Sequence, residues 1–386
     1  MPKNKFKKKP GSSLVERKKA LREAAREAKQ EEARSSLKGK QNYSVDQLLD
    51  KAEDCIDRFE FEVAQKFCQR ALELEPDHIR ALETVGTLLL EVGNTDGAKQ
   101  CFGRAVEVSP EEGHAKYMYL GQLMEGATAV QCFQKGIELM VKEKGEREAK
   151  EVAAACRGAE DTTITDRDIS NAFCSIAEIY MTDSCFDEDA ENKCKENVEK
   201  AIETDGENPE AYQLRASFML SKDKKHEAKE DIKKSVSLWL PKVQALDKGD
   251  VPDEEFDPVE TVSLTFDARM AAGKILIEVE EFELACEVLE SLLDEDDEVP
   301  PVWYMLGWAN YLQGQDFREN ARYYLTKANK VYAKVKYEDA DLLKHITDLL
   351  EELGPGEGDE DDDDAQNGVN DVEPDSTDDE GEAMEH

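Results

Sequence analysis

Carboxylates dominate the side chains of this sequence that can do chemistry. The 386-residue chain carries 89 Asp and Glu against 50 Lys and Arg. Acid–base catalysis needs one carboxylate set apart from its neighbours, and here no pair stands out from the background. The five histidines, His78, His114, His226, His345 and His386, are scattered without metal-ligand spacing. Nine cysteines (Cys55, Cys68, Cys101, Cys132, Cys156, Cys174, Cys185, Cys194 and Cys286) never form CxxC. An odd, scattered set of this kind reads as reduced structural thiols of an intracellular protein. Phosphate-cradling GxGxxG and GxxxxGK[ST] loops and the GxSxG nucleophile elbow are missing. The run Glu357–Asp364 lacks the Gly and the spacing of a formed calcium loop. Neither enzymatic activity nor any cofactor or metal is therefore expected. The chemistry that remains is anionic: capture of something positively charged.

Such capture requires that the carboxylates be lined up, and the sequence contains the device. Ala64, Ala71 and Pro76 recur as Ala98, Ala105 and Pro110, each moved on by 34 residues; Ala52 becomes Gly86 and Cys68 becomes Phe102 by the same step. A period of 34 with small residues at fixed offsets marks a tetratricopeptide (TPR) helix–turn–helix array. Two helices cannot bury both apolar faces alone, so the units stack into an all-α solenoid.

Seven repeats are predicted. Residues 41–141 hold repeats one to three, with Ser44 and Asp46 as N-cap candidates and Gly93-Asn94 as a turn; the turn of the third is four residues short. Residues 142–169 interrupt the period with a charged helical extension and the loop GAEDTTITDRD, marking a boundary before a second block. Residues 170–240 hold repeats four and five, the fourth opening near Ser170 and the fifth stopped by Pro241. An acidic loop follows over 241–260, then repeats six and seven and a capping amphipathic helix over 261–353.

The first helix of each repeat lines the inner groove. Counting from the first residue of each repeat, inward positions carry Asp46, Glu53 and Asp57, then Glu83 and Glu91, with Arg80 opposing. Glu178, Glu210, Asp267 and Glu278 follow, with Lys274 opposing, and Tyr304, Trp308 and Tyr311 close the series. An acidic wall with aromatics at one end suits an extended Lys/Arg-rich segment: carboxylates pair with its cations and rings accept its guanidinium planes. Two blander readings stand beside this one. So acidic a chain shows carboxylates on every surface, and the aromatics fit a core as well as a groove.

The charge is uneven. Residues 1–40, a partly helical basic arm, hold 14 Lys/Arg and 5 Asp/Glu; the tail 354–386 holds 15 Asp/Glu and no Lys/Arg; the body between them carries −33. An acidic body repels nucleic acid and attracts basic partners. Lys7, Lys8 and Lys9 form a candidate nuclear import signal, implying import receptors as partners. The tail has almost nothing apolar and is expected to be disordered. Within it, Ser376 and Thr377, followed by Asp378, Asp379 and Glu380, are candidate phosphorylation sites. No run of 18 apolar residues and no leading apolar stretch occurs, so neither membrane span nor secretory signal is expected.

A basic arm, seven irregular repeats and an acidic tail, with stretches such as ALELEPDHIRALETVGTLLLEVG and PPVWYMLGWANYLQG, together resemble the eukaryotic assembly chaperones dedicated to the large-subunit ribosomal protein four. The resemblance covers nearly the whole chain. It implies binding of that newly made, very basic protein through its long internal loop, protection from aggregation, and escort from cytoplasm to nuclear pre-ribosomes, without direct contact to nucleic acid or membrane. A histone chaperone or general acidic nuclear scaffold working through the tail is the alternative. A heat-shock co-chaperone fits less well, because gripping a terminal carboxylate needs Lys, Arg and Asn where this wall is chiefly Asp and Glu.

Overall fold

A computed structural model describes residues 43–154, 164–247 and 264–354. The import and phosphorylation candidates, the arm and the tail lie outside them. Every regular element among the described residues is helical, and the architecture is the TPR helix–turn–helix solenoid that the period implies.

The helices pair as the repeats predict: α1 (Val45–Ile56) with α2 (Phe61–Leu74), α3 (Ile79–Glu91) with α4 (Thr95–Val108), α5 (Ala115–Leu123) with α6 (Gly126–Ala154), and α7 (Asp166–Met181) with α8 (Ala190–Thr204). Then come α9 (Pro209–Ser221), α10 (Lys225–Asp247), the pairs α11 (Phe266–Glu278) with α12 (Phe282–Glu295) and α13 (Pro300–Gln313) with α14 (Arg318–Val335), and finally α15 (Ala340–Leu353). The chain divides into two compact units, Met1–Lys222 and Asp223–His386; the expected boundary at 142–169 is not where it divides.

Local sequence sets the helix ends. Ser44 caps α1 by a reciprocal box: its hydroxyl accepts from the Gln47 amide, and its own amide donates to Gln47 Oε1. Asn94 accepts from the Gly97 amide at 3.0 Å to open α4, directly after Gly93 takes a positive φ of 76°. Within a pair, contact is closest at the small residue on the first helix. A Cβ at Gly86 would lie 2.5 Å from the Phe102 ring, and one at Gly307 would lie 2.6 Å from Leu325. Ala52, Ala177 and Ala216, at the same place in their repeats, are fully buried.

Two sequence expectations are corrected. Repeat four opens one turn before Ser170, because Thr165 and Asp168 form a capping box that starts α7 at Asp166. The face of α7 carrying Ile169, Ala172, Ile176 and Ile179 packs on Ala129, Phe133, Ile137 and Met140 of α6, so one core runs beneath the interruption. Pro241 does not stop its helix, and the stretch taken as a loop from residue 241 is helical to Asp247. Proline there leaves the Ser237 carbonyl without its usual donor, but Ser237 is exposed, while Trp239, Leu240 and Val243 are buried and hold the helix in register.

Candidate binding surface

In the first unit the acidic surface begins on α1. Asp46, Asp50 and Glu53 fall at i, i+4 and i+7, so they share one face of the helix. Arg80, on the first turn of α3, reaches back to all three. Its Nη2 donates to Glu53 Oε2 at 2.6 Å and to Asp50 Oδ1 at 2.7 Å, its Nε donates to Glu53 Oε1 at 3.2 Å, and Asp46 lies 4.0 Å from Nη1. Hydrogen bonds donated to Glu53 and then to Asp50 hold this guanidinium charged well above its ordinary range. The Thr84 hydroxyl also donates to Glu53, at 3.4 Å. Asp57, one turn beyond Glu53, is exposed and caps the end of α1.

Glu83 belongs to a different cluster. Burial raises its pKa, against the pull of Lys116 and then His114. Lys116 is fully buried, and its ammonium donates to the Glu112 carbonyl. Burial lowers its pKa, opposed first by the carboxylate of Glu83. Glu143, reaching in from α6, lies 2.9 Å from His114 Nδ1 and accepts from the Gly113 amide at 3.1 Å. Glu91, at the end of α3, is exposed and stands apart from both clusters.

The structure brings Glu178 of α7 and Glu210 of α9 into one field. The Glu210 carboxyl is raised above the ordinary carboxylate value, first by loss of hydration and then by repulsion from Glu178, with Arg167 opposing. Both side chains are solvent-accessible. Arg167 is itself engaged, with Asp205 and with the Glu207 carbonyl at 2.7 Å.

In the second unit, Asp267 and Glu278 are exposed at the two ends of α11, with Lys274 exposed between them. Tyr304, Trp308 and Tyr311 share one face of α13, where α15 meets them. The Tyr304 hydroxyl lies 2.7 Å from His345 Nδ1, its ring stacks on Trp308 at 6.0 Å, and Trp308 meets His345 edge-on at 6.2 Å. The Tyr311 hydroxyl donates to Glu352 at 2.5 Å. All three are half-buried against the cluster of Leu325, Ile346 and Leu349, so they seat the capping helix and present only part of each ring to solvent.

Among the participants that the sequence reading missed are Asp50, Lys116 and His345. Asp50 was legible, since it lies at helical spacing between Asp46 and Glu53. Lys116 was legible in part, because it occupies the repeat position filled by buried Ala81 one repeat earlier. His345 gave no signal, because nothing local foretells which face of the capping helix meets the Tyr304 ring.

No protein-family model matches the chain. Over 296 residues it is 31% identical to a Schizosaccharomyces pombe protein named "Probable assembly chaperone of rpl4", a match covering 71% of this chain and 80% of that protein. An Emericella nidulans protein of the same name is 27% identical over 367 residues, covering 86% of this chain and 87% of that one. Among solved structures, the assembly chaperone of RpL4 (Acl4), residues 1–338, superposes with a TM-score of 0.62 at 28% identity, covering 72% of this chain and 100% of that one. Likeness in sequence along most of the chain, joined to the same helical-repeat fold, places this protein in the family of assembly chaperones of ribosomal protein L4.

Proposed function

We propose that this chain is a dedicated chaperone of the large-subunit ribosomal protein four, and that it holds an extended Lys/Arg-rich segment of that protein against its acidic first-helix faces. Beyond family membership, the observation that carries this reading is the Glu178–Glu210 pair: two like charges accessible to water, with the Glu210 carboxyl raised towards neutrality first by lost hydration and then by repulsion from Glu178. A cation placed between them relieves the repulsion and replaces the missing hydration, which favours binding of a positive chain over any neutral one. Charge-assisted hydrogen bonds from Arg give geometry. Each exposed pair is weak, so affinity comes from their number and from long-range steering by the acidic body. Neutralising a very basic protein along its length also removes the charge by which it condenses with polyanions. In this reading Lys7, Lys8 and Lys9 recruit import receptors, and the complex travels from cytoplasm to nucleus. No helix among the described residues is long and apolar enough to cross a membrane.

The test is a triple charge reversal, Glu91→Lys, Glu178→Lys and Glu210→Lys, in the full chain. The expected result is loss of capture of the basic segment with an unchanged helical circular-dichroism spectrum. Deleting residues 354–386 is expected to leave most of the affinity in place. The opposite pattern, capture surviving the reversal and lost with the tail, identifies a tail-driven acidic scaffold instead.

A further inference from the structure

Helices α2 and α3 enclose an apolar cavity of about 550 Å³ that the acidic faces do not use. Phe61 and Leu72 line it from α2, Val85, Leu88 and Leu89 from α3, and Val92 from the cap that ends α3, with the exposed Glu62 and Glu73 beside them. These four residues of α3 and its cap run at helical spacing along the side turned away from Glu83. Val92 is 52% exposed, and Phe59 and Leu74, flanking the α2 contribution, are 70% and 44% exposed. Apolar surface of this kind, rimmed by charge, marks a place where something docks.

We propose that the occupant is the chain's own basic arm, through the stretch Leu14–Arg22. The described structure begins at Tyr43, in the same repeat that supplies α2. Tyr43 packs on the same core cluster as Phe61, Leu72 and Val85, three of the lining residues. From Leu21 to Tyr43 the chain can span at most about 80 Å, which leaves ample reach. Leu14, Val15 and Leu21 supply apolar groups, and Arg17, Lys18, Lys19 and Arg22 stand among them to meet Glu62 and to compete for Glu73, which Arg70 holds at 2.9 Å. Fourteen Lys and Arg against five Asp and Glu in residues 1–40, set against a body of −33, bring the arm to this surface. The tether supplies an effective concentration on the order of millimolar, so even a weak contact is populated. Docking covers the exposed apolar skirt, and it is independent of the acidic faces proposed for the ribosomal protein.

A photo-crosslinking phenylalanine analogue placed at Leu21 in the full chain, irradiated at low concentration without any partner, tests this. The expected product is an intramolecular crosslink into residues 61–92. A crosslink joining two copies, one elsewhere in the chain, or none overturns the proposal. Two further full-length variants give an independent readout. Val92→Asp alters an exposed cavity residue, and the pair Leu14→Asp and Leu21→Asp alters only the arm. Tryptic cleavage at Arg17, Lys18, Lys19 and Arg22 is expected to accelerate at least about tenfold in both, because cleavage follows the undocked fraction. Unchanged cleavage in the arm variant, whose repeats are untouched, refutes self-docking whatever Val92→Asp does to folding.

Discussion

Arg80 grips Glu53 at two points, Nη2 on Oε2 at 2.6 Å and Nε on Oε1 at 3.2 Å, and so joins the first helix of one repeat to the first helix of the next. The same Nη2 also donates to Asp50 at 2.7 Å, so part of the negative charge on α1 is already answered from within the chain. Arg80 occupies the position on α3 from which a bound cation would be rebuffed. Replacing it by alanine removes both a strut and a competitor. With the side chain 39% exposed, the strut contributes about 1 kcal/mol or less. Arg80→Ala is therefore expected to lower thermal stability slightly while raising affinity for a Lys/Arg-rich peptide severalfold at low salt. Titration calorimetry at two ionic strengths checks this, and the gain should shrink at the higher one.

The raised carboxyl of Glu210 predicts a pH dependence with a definite sign. Its folded pKa exceeds its unfolded one, so the folded chain holds the proton longer, and stability falls as pH rises from the ordinary carboxylate value through the folded one. Glu210→Gln removes that loss. The variant should melt higher than the unaltered protein at pH 7, by less than about 1 kcal/mol for so accessible a side chain, with the difference vanishing near pH 4. Binding a basic segment should pull the same pKa down and release protons at mildly acidic pH, measurable by calorimetry in buffers of different ionisation enthalpy.

The Gly86–Phe102 contact predicts coupled substitutions. A Cβ at 86 would lie 2.5 Å from the ring, and Phe102 is fully buried. Gly86→Val should cost about 2–3 kcal/mol by overpacking, and Phe102→Ala about 3–5 kcal/mol by cavity formation. Their combination should cost clearly less than the sum, since each change makes room for the other. Urea denaturation of the three variants measures the coupling.

Thiol reactivity should divide sharply. Burial pushes Cys68 up to about 12 and Cys194 and Cys286 up to about 11, and raises Cys174 as well, whereas Cys185 is exposed. A short iodoacetamide pulse on the native protein should modify Cys185 and spare those four, which react only after denaturation. Peptide mass spectrometry reads the pattern.

The helical pairs were legible in the sequence because a close helix–helix approach demands a small residue, and that demand repeats every 34 positions: Ala52 and Gly86 announce the packing of their own repeats. Departures from the period were harder to read. The Thr165–Asp168 box was available as a start signal, yet a stretch rich in Thr and Asp looks like loop until its hydrogen bonds are known. Pro241 misled because the burial that outweighs its lost hydrogen bond involves Trp239 and Val243, residues whose tertiary partners lie outside any local window. On the binding surface, spacing along one helix put Asp46 beside Glu53. Contacts across helices, such as Arg80 with Asp50 or Tyr304 with His345, depend on how neighbouring pairs rotate against each other, and no period encodes that.

Each of the two compact units encloses its own apolar clusters, and within each the helices lean chiefly on the next ones along the chain. A molecule assembled this way does not collapse as one piece on heating: calorimetry should record at least two overlapping melting steps, and end pairs should fray while the middle of a stack still stands. For a chaperone, which must release what it holds, that graded looseness offers a way to open one stretch of the scaffold at a time.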